Sequence, residues 1–170
     1  LGEAYRKGDP NYDARSTVPA IVDVTTGAVV NNDYHALTTE LALGFKDFIS
    51  PDAPDIYPEE LRADIDALNV IIYADFNLAV NLAALVTNQK DYEYYYDRIF
   101  ARLDWLEERL SKQRYLMGDT ITDSDIRIFP TLARFDLVFY QKYLVNKKRL
   151  VDYPNLWNYA KDLYSNPAFG

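Results

Sequence analysis

The sequence predicts a predominantly helical α+β protein, in which a small segment with two strands and one helix precedes an all-helical domain of about five helices. Three observations support this prediction. Two short apolar runs flank a Thr-Thr-Gly turn, a segment with three prolines follows at 50–58, and the apolar patterns after it repeat every three or four residues. A chain of 170 residues can bury about 70% of the surface that its unfolded form exposes.

The first predicted element is a β-hairpin. Residues 18–23 (VPAIVD) and 28–30 (AVV) are the apolar runs, and the sequence between them has turn chemistry. The Asn-Asn-Asp sequence at 31–33 offers side-chain oxygens to the free N–H groups of a helix that follows. We expect this helix to bury one apolar face formed by Leu37, Leu41, Phe45 and Phe48.

The proline-rich segment predicts a domain boundary near 49–58. After it, we expect one helix from Pro58 to about Val86 and a second from about Lys90 to Ser111, packed together as an antiparallel hairpin. A last helix is predicted over 154–164, with Trp157 packing inward. The residues expected to face the core in the first two helices are Leu61, Ile65, Leu68, Ile72, Phe76, Val80, Ala83, Tyr92, Tyr96, Ile99, Leu103, Leu106 and Leu110.

A capping box marks the start of another helix. Thr122 is the cap, and Asp125, three residues later, is placed to accept from the Thr122 N–H. Asp125 also lies in the first helical turn, where the helix dipole favours a carboxylate. We therefore interpret both residues as structural.

The composition excludes several classes of function. The net charge of −8 disfavours nucleic acid and anionic membranes as partners, and the absence of Cys removes disulfides and thiolate metal sites. His35, the only histidine, has no second metal-type residue at ligand spacing, so we expect no metal. No apolar run reaches the ~18 residues of a membrane span. We expect a soluble, cytoplasmic protein.

Three segments resemble a known family. They are IYPEELRADIDALN (56–69), RLDWLEERLSKQRYLMGDTITDSDIRIFPTLARFD (102–136) and KKRLVDYPNLWNYAKDLY (147–164). They resemble the Xi-class glutathione S-transferases, also called glutathionyl-hydroquinone reductases, and the similarity extends from about Tyr12 to Tyr164. The resemblance implies the C-terminal half of a thioredoxin-like domain at 1–48, a linker at 49–58 and an all-α transferase C-terminal domain at 59–170. It also implies a homodimer through the helical domain.

The resemblance assigns a binding site for the thiol co-substrate to the first segment. In this family the Val-Pro peptide is cis, and Val18 and Pro19 would hold the cysteinyl part of glutathione. The residues alone, without the resemblance, favour an ordinary trans proline at a strand start. Family members read Val-Asn-Asn-Glu-Ser at the helix cap, where this chain has Asp33 and Tyr34 in the last two positions. These two residues would bind the γ-glutamyl end, although the Asn-Asn-Asp sequence could instead serve only as a cap.

The resemblance also implies tyrosines that face an aromatic substrate. Tyr73 fits one such position, while Asn81 and Phe139 stand where the family has tyrosine hydroxyls. Tyr140, next to Phe139, is the candidate to replace the missing hydroxyl. These changes, and Tyr34 in place of serine, predict an altered specificity.

The family's nucleophile is a cysteine of a Cys-Pro motif, and this chain contains no Cys. We therefore expect a fragment, inactive by itself, of an enzyme that removes glutathione or another low-molecular-weight thiol from aromatic adducts or mixed disulfides. The alternative is a non-catalytic transferase-like module for protein association. A Cys-Pro pair upstream of Leu1 would distinguish the two.

Overall fold

A two-stranded hairpin and a series of helices confirm the predicted fold class. The computed structural model describes residues Leu1–Gly170, which form two units, Leu1–Ala53 and Pro54–Gly170. The first unit contains both strands, and the second is entirely helical. The division falls within 49–58, and the domain bounds inferred from the resemblance stay a prediction.

The first unit is built around the hairpin. Its elements are α1 (Gly2–Gly8), β1 (Ile21–Asp23), β2 (Ala28–Asn31) and α2 (Leu37–Gly44). The strands are antiparallel, and the Asp23 carboxylate accepts from the Thr25 N–H at 2.7 Å to close the turn. Gly27 has φ +69°, a conformation that glycine adopts without a Cβ clash. Helix α1 packs on β2 so closely that a Cβ on Gly8 would lie 2.6 Å from the Val29 carbonyl oxygen.

The apolar face predicted for α2 is not buried. Leu37 is buried, but Leu41 and Phe45 are exposed, and Phe48 is 86% exposed. The helix ends at Gly44, and Lys46–Phe48 forms a separate 3₁₀ turn. The spacing that places four residues on one face of an α-helix is therefore broken before the last of them.

The second unit holds the helices predicted after the proline-rich segment. They are α3 (Arg62–Ile72), α4 (Ala79–Leu85), α5 (Gln89–Leu110), α6 (Asp123–Arg134), α7 (Tyr140–Lys142) and α8 (Pro154–Ser165), with 3₁₀ turns at Glu59–Leu61 and Leu150–Asp152. Helix α4 packs along α5, as expected for the predicted helical hairpin. The core contains the expected stripe from Leu68 to Ala83 and the buried residues in the C-terminal half of α5, from Ile99 to Leu110. Ile128, Phe135 and Leu156 belong to the same core.

Two π-helical segments, Tyr73–Asn77 and Phe135–Phe139, were not predicted. In the first, the Leu78 N–H donates to the Tyr73 carbonyl at 2.8 Å, a bond that spans five residues instead of four. The rings of Phe76 and Phe135 stack at 5.9 Å between centroids, so the two segments pack on each other. Apolar residues four positions apart in the sequence are compatible with both an α-helix and a π-helical turn. The sequence pattern therefore did not reveal the two π-helical segments.

Trp157 does not pack inward as predicted, because its side chain is 36% exposed. Helix α8 instead buries Leu156, Tyr159, Ala160 and Leu163, which form one stripe because Tyr159 and Ala160 lie three and four residues after Leu156 and Leu163 lies three after Ala160. Trp157 lies one position beyond the first of these, about 100° around the helix from the buried stripe.

The helical stretch Glu59–Leu85 corrects the expectation that no segment is long enough to span a membrane. By length and composition alone it would be able to cross one. Core helices of soluble domains meet the same two conditions, and Ile65, Ile72, Phe76 and Val80 of this stretch are buried within the unit.

Candidate functional site

The segment that enters β1 carries the first two candidate residues. The Val18–Pro19 peptide bond is cis, as the resemblance implied. Both side chains are exposed, whereas Tyr5 is buried and donates its hydroxyl to the Thr17 carbonyl at 2.8 Å. Helix α1 thus anchors the residue before Val18 and leaves the Val18–Pro19 pair at the surface.

Asp33 caps the helical turn that leads into α2. Its Oδ1 accepts from the His35 N–H at 2.9 Å and from the Ala36 N–H at 3.2 Å, and its own N–H donates to Asn31 Oδ1 at 2.7 Å. These bonds show the predicted capping role in the turn ahead of α2, whereas the N-cap residue of α2 itself is Ala36. Asp33 is exposed, and the structure shows no hydrogen bond to its Oδ2.

Tyr34 and His35 lie beside this cap. Tyr34 is exposed, and its ring contacts the His35 ring edge-on with centroids 5.6 Å apart. His35 is also exposed, and no group of three or more His, Cys, Asp or Glu side chains is placed to hold a metal ion. Tyr34 thus follows Asp33 in the sequence and places an exposed ring in the turn that Asp33 caps.

In the helical unit, Tyr73 is the first residue of the first π-helical segment, and Asn81 follows that segment on α4. Tyr73 is half-buried and opens the segment, while Asn81 is exposed on α4 and donates its amide to the Asn77 carbonyl at 2.9 Å. The Asn77 amide in turn donates to the Arg127 carbonyl on α6 at 3.0 Å. The segment is thereby tied to the neighbouring helix.

Phe139 and Tyr140 differ in accessibility. Phe139 is 5% exposed, and its ring lies 6.5 Å from Phe135 and 5.8 Å from Tyr143, within the core. Tyr140 is half-buried, with the Arg149 guanidinium 5.3 Å above its ring. Tyr140 is therefore the more accessible member of the pair, and the assignment of both residues to the substrate pocket stays a prediction.

The Thr122–Asp125 capping box is confirmed. The Asp125 carboxylate accepts from the Thr122 N–H at 2.8 Å and from the Thr122 hydroxyl at 3.0 Å. It also accepts from the Leu116 N–H at 3.0 Å and from the Tyr159 hydroxyl at 2.7 Å. Burial raises the pKa of Asp125, and these four bonds act against the shift without cancelling it. All four donors are internal, so the carboxylate is structural.

The sequence did not predict a charged cluster on the first π-helical segment. Asp75 accepts from Arg98 and, at 2.6 Å, from Arg102, which are both on α5. Burial opposes ionisation of Asp75, but the bonds from the two arginines outweigh it and lower the pKa of this carboxyl. The one available signal was the four-residue spacing of the arginines on α5.

A second polar cluster was also missed. Asp123 is fully buried and accepts from the Asn69 amide at 2.8 Å and from Arg127 Nε at 2.5 Å. Asn69 also accepts from the Ser124 hydroxyl at 2.8 Å, which joins α3 to the start of α6. Asn69 and Asp123 are 54 residues apart, so only the Asp123–Arg127 spacing could have indicated the cluster.

Comparison with known proteins matches both units. Residues 89–162 match the family model of the glutathione S-transferase C-terminal domain. A glutathione transferase structure from Gordonia bronchialis is 45% identical with a TM-score of 0.96, and the match covers 100% of this chain and 53% of that one. The glutathione-bound structure of YqjG from Escherichia coli K-12 is 34% identical with a TM-score of 0.93, covering 99% and 54%.

A curated relative gives the same result. Glutathionyl-hydroquinone reductase PcpF of Sphingobium chlorophenolicum is 37% identical over 156 residues, which is 92% of this chain and 50% of the relative. The chain spans about half the length of the curated relatives that it matches most fully. The chain therefore contains a glutathione S-transferase C-terminal domain. Its homologues are the glutathionyl-hydroquinone reductases and the Xi-class and omega-like transferases.

Proposed function

We propose that this chain is part of a glutathione-dependent thiol transferase or reductase. In this proposal the whole protein removes glutathione, or another low-molecular-weight thiol, from an aromatic or quinone-type adduct or from a mixed disulfide. The observation that carries the proposal is the close match of the backbone, over nearly its whole length, to a homologue solved with glutathione bound. The names of the curated relatives support the same reaction class.

The first unit would bind the thiol co-substrate. Val18, next to the cis Pro19, presents main-chain groups at the surface, where the cysteinyl part of a peptide can pair with them. Asp33 Oδ2 is free to accept from the ammonium group of a γ-glutamyl residue. Tyr34, in place of the serine of relatives, narrows this end of the site. A thiol other than glutathione is therefore included in the proposal.

The chemistry requires a cysteine thiolate, which would come from outside these 170 residues. The thiolate attacks the sulfur of the adduct, the bond from sulfur to the aromatic carbon breaks, and that carbon takes a proton. A second thiol molecule then reduces the mixed disulfide on the enzyme and leaves as a low-molecular-weight disulfide. Tyr73 and Tyr140 would donate to the oxygens of the aromatic substrate, beside Asn81 and the buried Phe139.

Calorimetric titration of glutathione into the protein that carries this chain tests the site. Asp33→Asn removes the charge and keeps a good helix cap, so we expect about tenfold weaker binding without loss of folding. Tyr34→Ser restores the small hydroxyl of relatives and should strengthen glutathione binding about tenfold. If Asp33→Asn binds glutathione as the wild type does, the assignment of the γ-glutamyl site is wrong. Tight glutathione binding that Tyr34→Ser leaves unchanged would refute the choice of another thiol.

One observation favours a second candidate, a non-catalytic module for protein association, because the chain has no cysteine of its own. The two candidates differ in a simple assay with an S-glutathionyl hydroquinone. The enzyme hypothesis expects the whole protein to release hydroquinone and the isolated chain to release none. No release by the whole protein would favour the association module.

We also propose a homodimer through the helical unit, a cytoplasmic location and no metal requirement. Exposed aromatic residues on α5, such as Tyr94, would be available to such an interface. Light scattering after gel filtration measures the mass of the chain, and a monomer at all concentrations would contradict the dimer.

A further inference from the structure

We propose that the helical unit contains an additional binding site, for a flat aromatic carboxylate, in the cavity between α6 and α8. The cavity has a volume of about 430 Å³ and is lined by apolar side chains from both helices together with Lys161. None of the four residues assigned to the aromatic substrate lines it. Its size lies within the range of about 300–1,000 Å³ typical of small-molecule pockets.

The walls of the cavity suit a planar ring system. Trp157 lines it, and this side chain is 36% exposed. Leu137 and Tyr164, which are 73% and 65% exposed, lie on the same lining, and Phe129 and Leu150 are buried behind them. A flat ligand that stacks on an aromatic ring removes large apolar surfaces from water, which contributes favourably to the free energy of binding.

One cation of the cavity is available to pair with an anion. Lys161 is exposed, and its ammonium lies 5.8 Å from the centre of the Trp157 ring without an ion pair. The only acidic residue in the lining, Asp136, accepts from the Leu150 N–H at 2.6 Å and makes no ion pair with Lys161. A carboxylate on the ligand can therefore pair with Lys161 while its ring contacts the indole. This recognition needs neither cysteine nor glutathione, so it is independent of the proposed thiol chemistry.

The chain allows a direct test, because it has two tryptophans. Trp105 lies on α5 between the guanidinium groups of Arg102 and Arg109 and does not line the cavity. In a nitrogen–proton correlation spectrum of the labelled chain, each tryptophan gives one indole signal, and Trp157→Phe assigns them. Titration with 2-naphthoate should shift the Trp157 signal and leave that of Trp105 in place. The neutral analogue 2-naphthamide should bind at least fivefold more weakly.

Two lysine variants separate charge from packing. Lys161→Gln should weaken 2-naphthoate binding about fivefold and leave 2-naphthamide unchanged, because only the ion pair is lost. Lys142→Gln is the matched control, since Lys142 stacks on Tyr143 outside the cavity and its loss should change neither ligand. The backbone amide signals report that each variant is folded.

Three results would overturn the proposal. They are equal shifts of both indole signals, equal affinity for the acid and the amide, and no effect of Lys161→Gln on 2-naphthoate. A Trp157 signal that moves on dilution of the protein alone would also contradict it, since a second copy of the chain would then occupy the cavity.

Discussion

Replacement of Asp125 by Asn should destabilise the helical unit strongly. The carboxylate is fully buried and accepts four hydrogen bonds, two from the Leu116 N–H and the Tyr159 hydroxyl on one oxygen and two from Thr122 on the other. Asparagine keeps one oxygen and places an NH₂ group where the other oxygen was. Whichever way the amide turns, one buried backbone N–H, that of Leu116 or that of Thr122, then faces a donor.

The expected loss follows from this geometry. The two hydroxyls can rotate to accept from the amide, but a backbone N–H cannot, and an unsatisfied buried N–H costs about 1–3 kcal/mol. The remaining bonds lose the assistance of the charge, each worth up to about 1 kcal/mol more than a neutral bond. We expect the free energy of unfolding to fall by about 3 kcal/mol, which corresponds to about 6–12 °C in Tm for a chain of this size.

Urea unfolding followed by tryptophan fluorescence measures this loss, because Trp105 and Trp157 both lie in the helical unit. Asp119→Asn is the matched control, since Asp119 is exposed and lies in the loop before the capping box. The control should change the free energy of unfolding by less than about 0.5 kcal/mol. A loss below about 1 kcal/mol for Asp125→Asn would show that the buried N–H groups find other acceptors, and the reasoning would be wrong.

Three further predictions concern other contacts. The Glu107 carboxylate accepts from the Asn155 and Leu156 N–H groups at the start of α8. Glu107→Gln should therefore lower the free energy of unfolding by about 1–2 kcal/mol and increase the rate of amide hydrogen exchange at Leu156. An unchanged exchange rate at Leu156 would contradict this prediction. Asp75→Asn should cost about 1–2 kcal/mol at pH 7. Because the arginines lower the pKa of Asp75, this deficit should begin to shrink as the pH falls below the ordinary value of 3.8 and should disappear only below the lowered pKa of the folded protein. A series of urea titrations from pH 7 into this acid range measures it, and a deficit independent of pH would refute the ion-pair origin. Tyr34→Ala should admit glutathione as well as Tyr34→Ser does if ring size is the obstacle, and a difference in the calorimetric Kd would assign a role to the hydroxyl.

Local sequence signals predicted much of the fold. The turn chemistry at 25–27, the Asp33 cap and the Thr122–Asp125 box all depend on partners within a few residues, and the structure contains each of them. The contacts that sequence reasoning missed join distant positions. Glu107 and Asn155 are 48 residues apart, and no spacing rule relates a carboxylate on one helix to the start of another. The prediction that Trp157 packs inward was wrong, because an aromatic residue does not by itself specify the buried face of its helix.

The two π-helical segments affect the residues that the resemblance assigns to the aromatic substrate. Each segment adds one residue to a helical turn, and this rotates the side chains that follow relative to those before it. Tyr73 opens the first segment and Phe139 closes the second, so the residues that resemblance assigns to the aromatic substrate lie where the helical period changes. Helical periodicity alone cannot place such residues on a face. Because π-turns often occur at functional sites, the position of both segments, packed through Phe76 and Phe135, favours Tyr73 and Tyr140 over the buried Phe139 as ligand contacts.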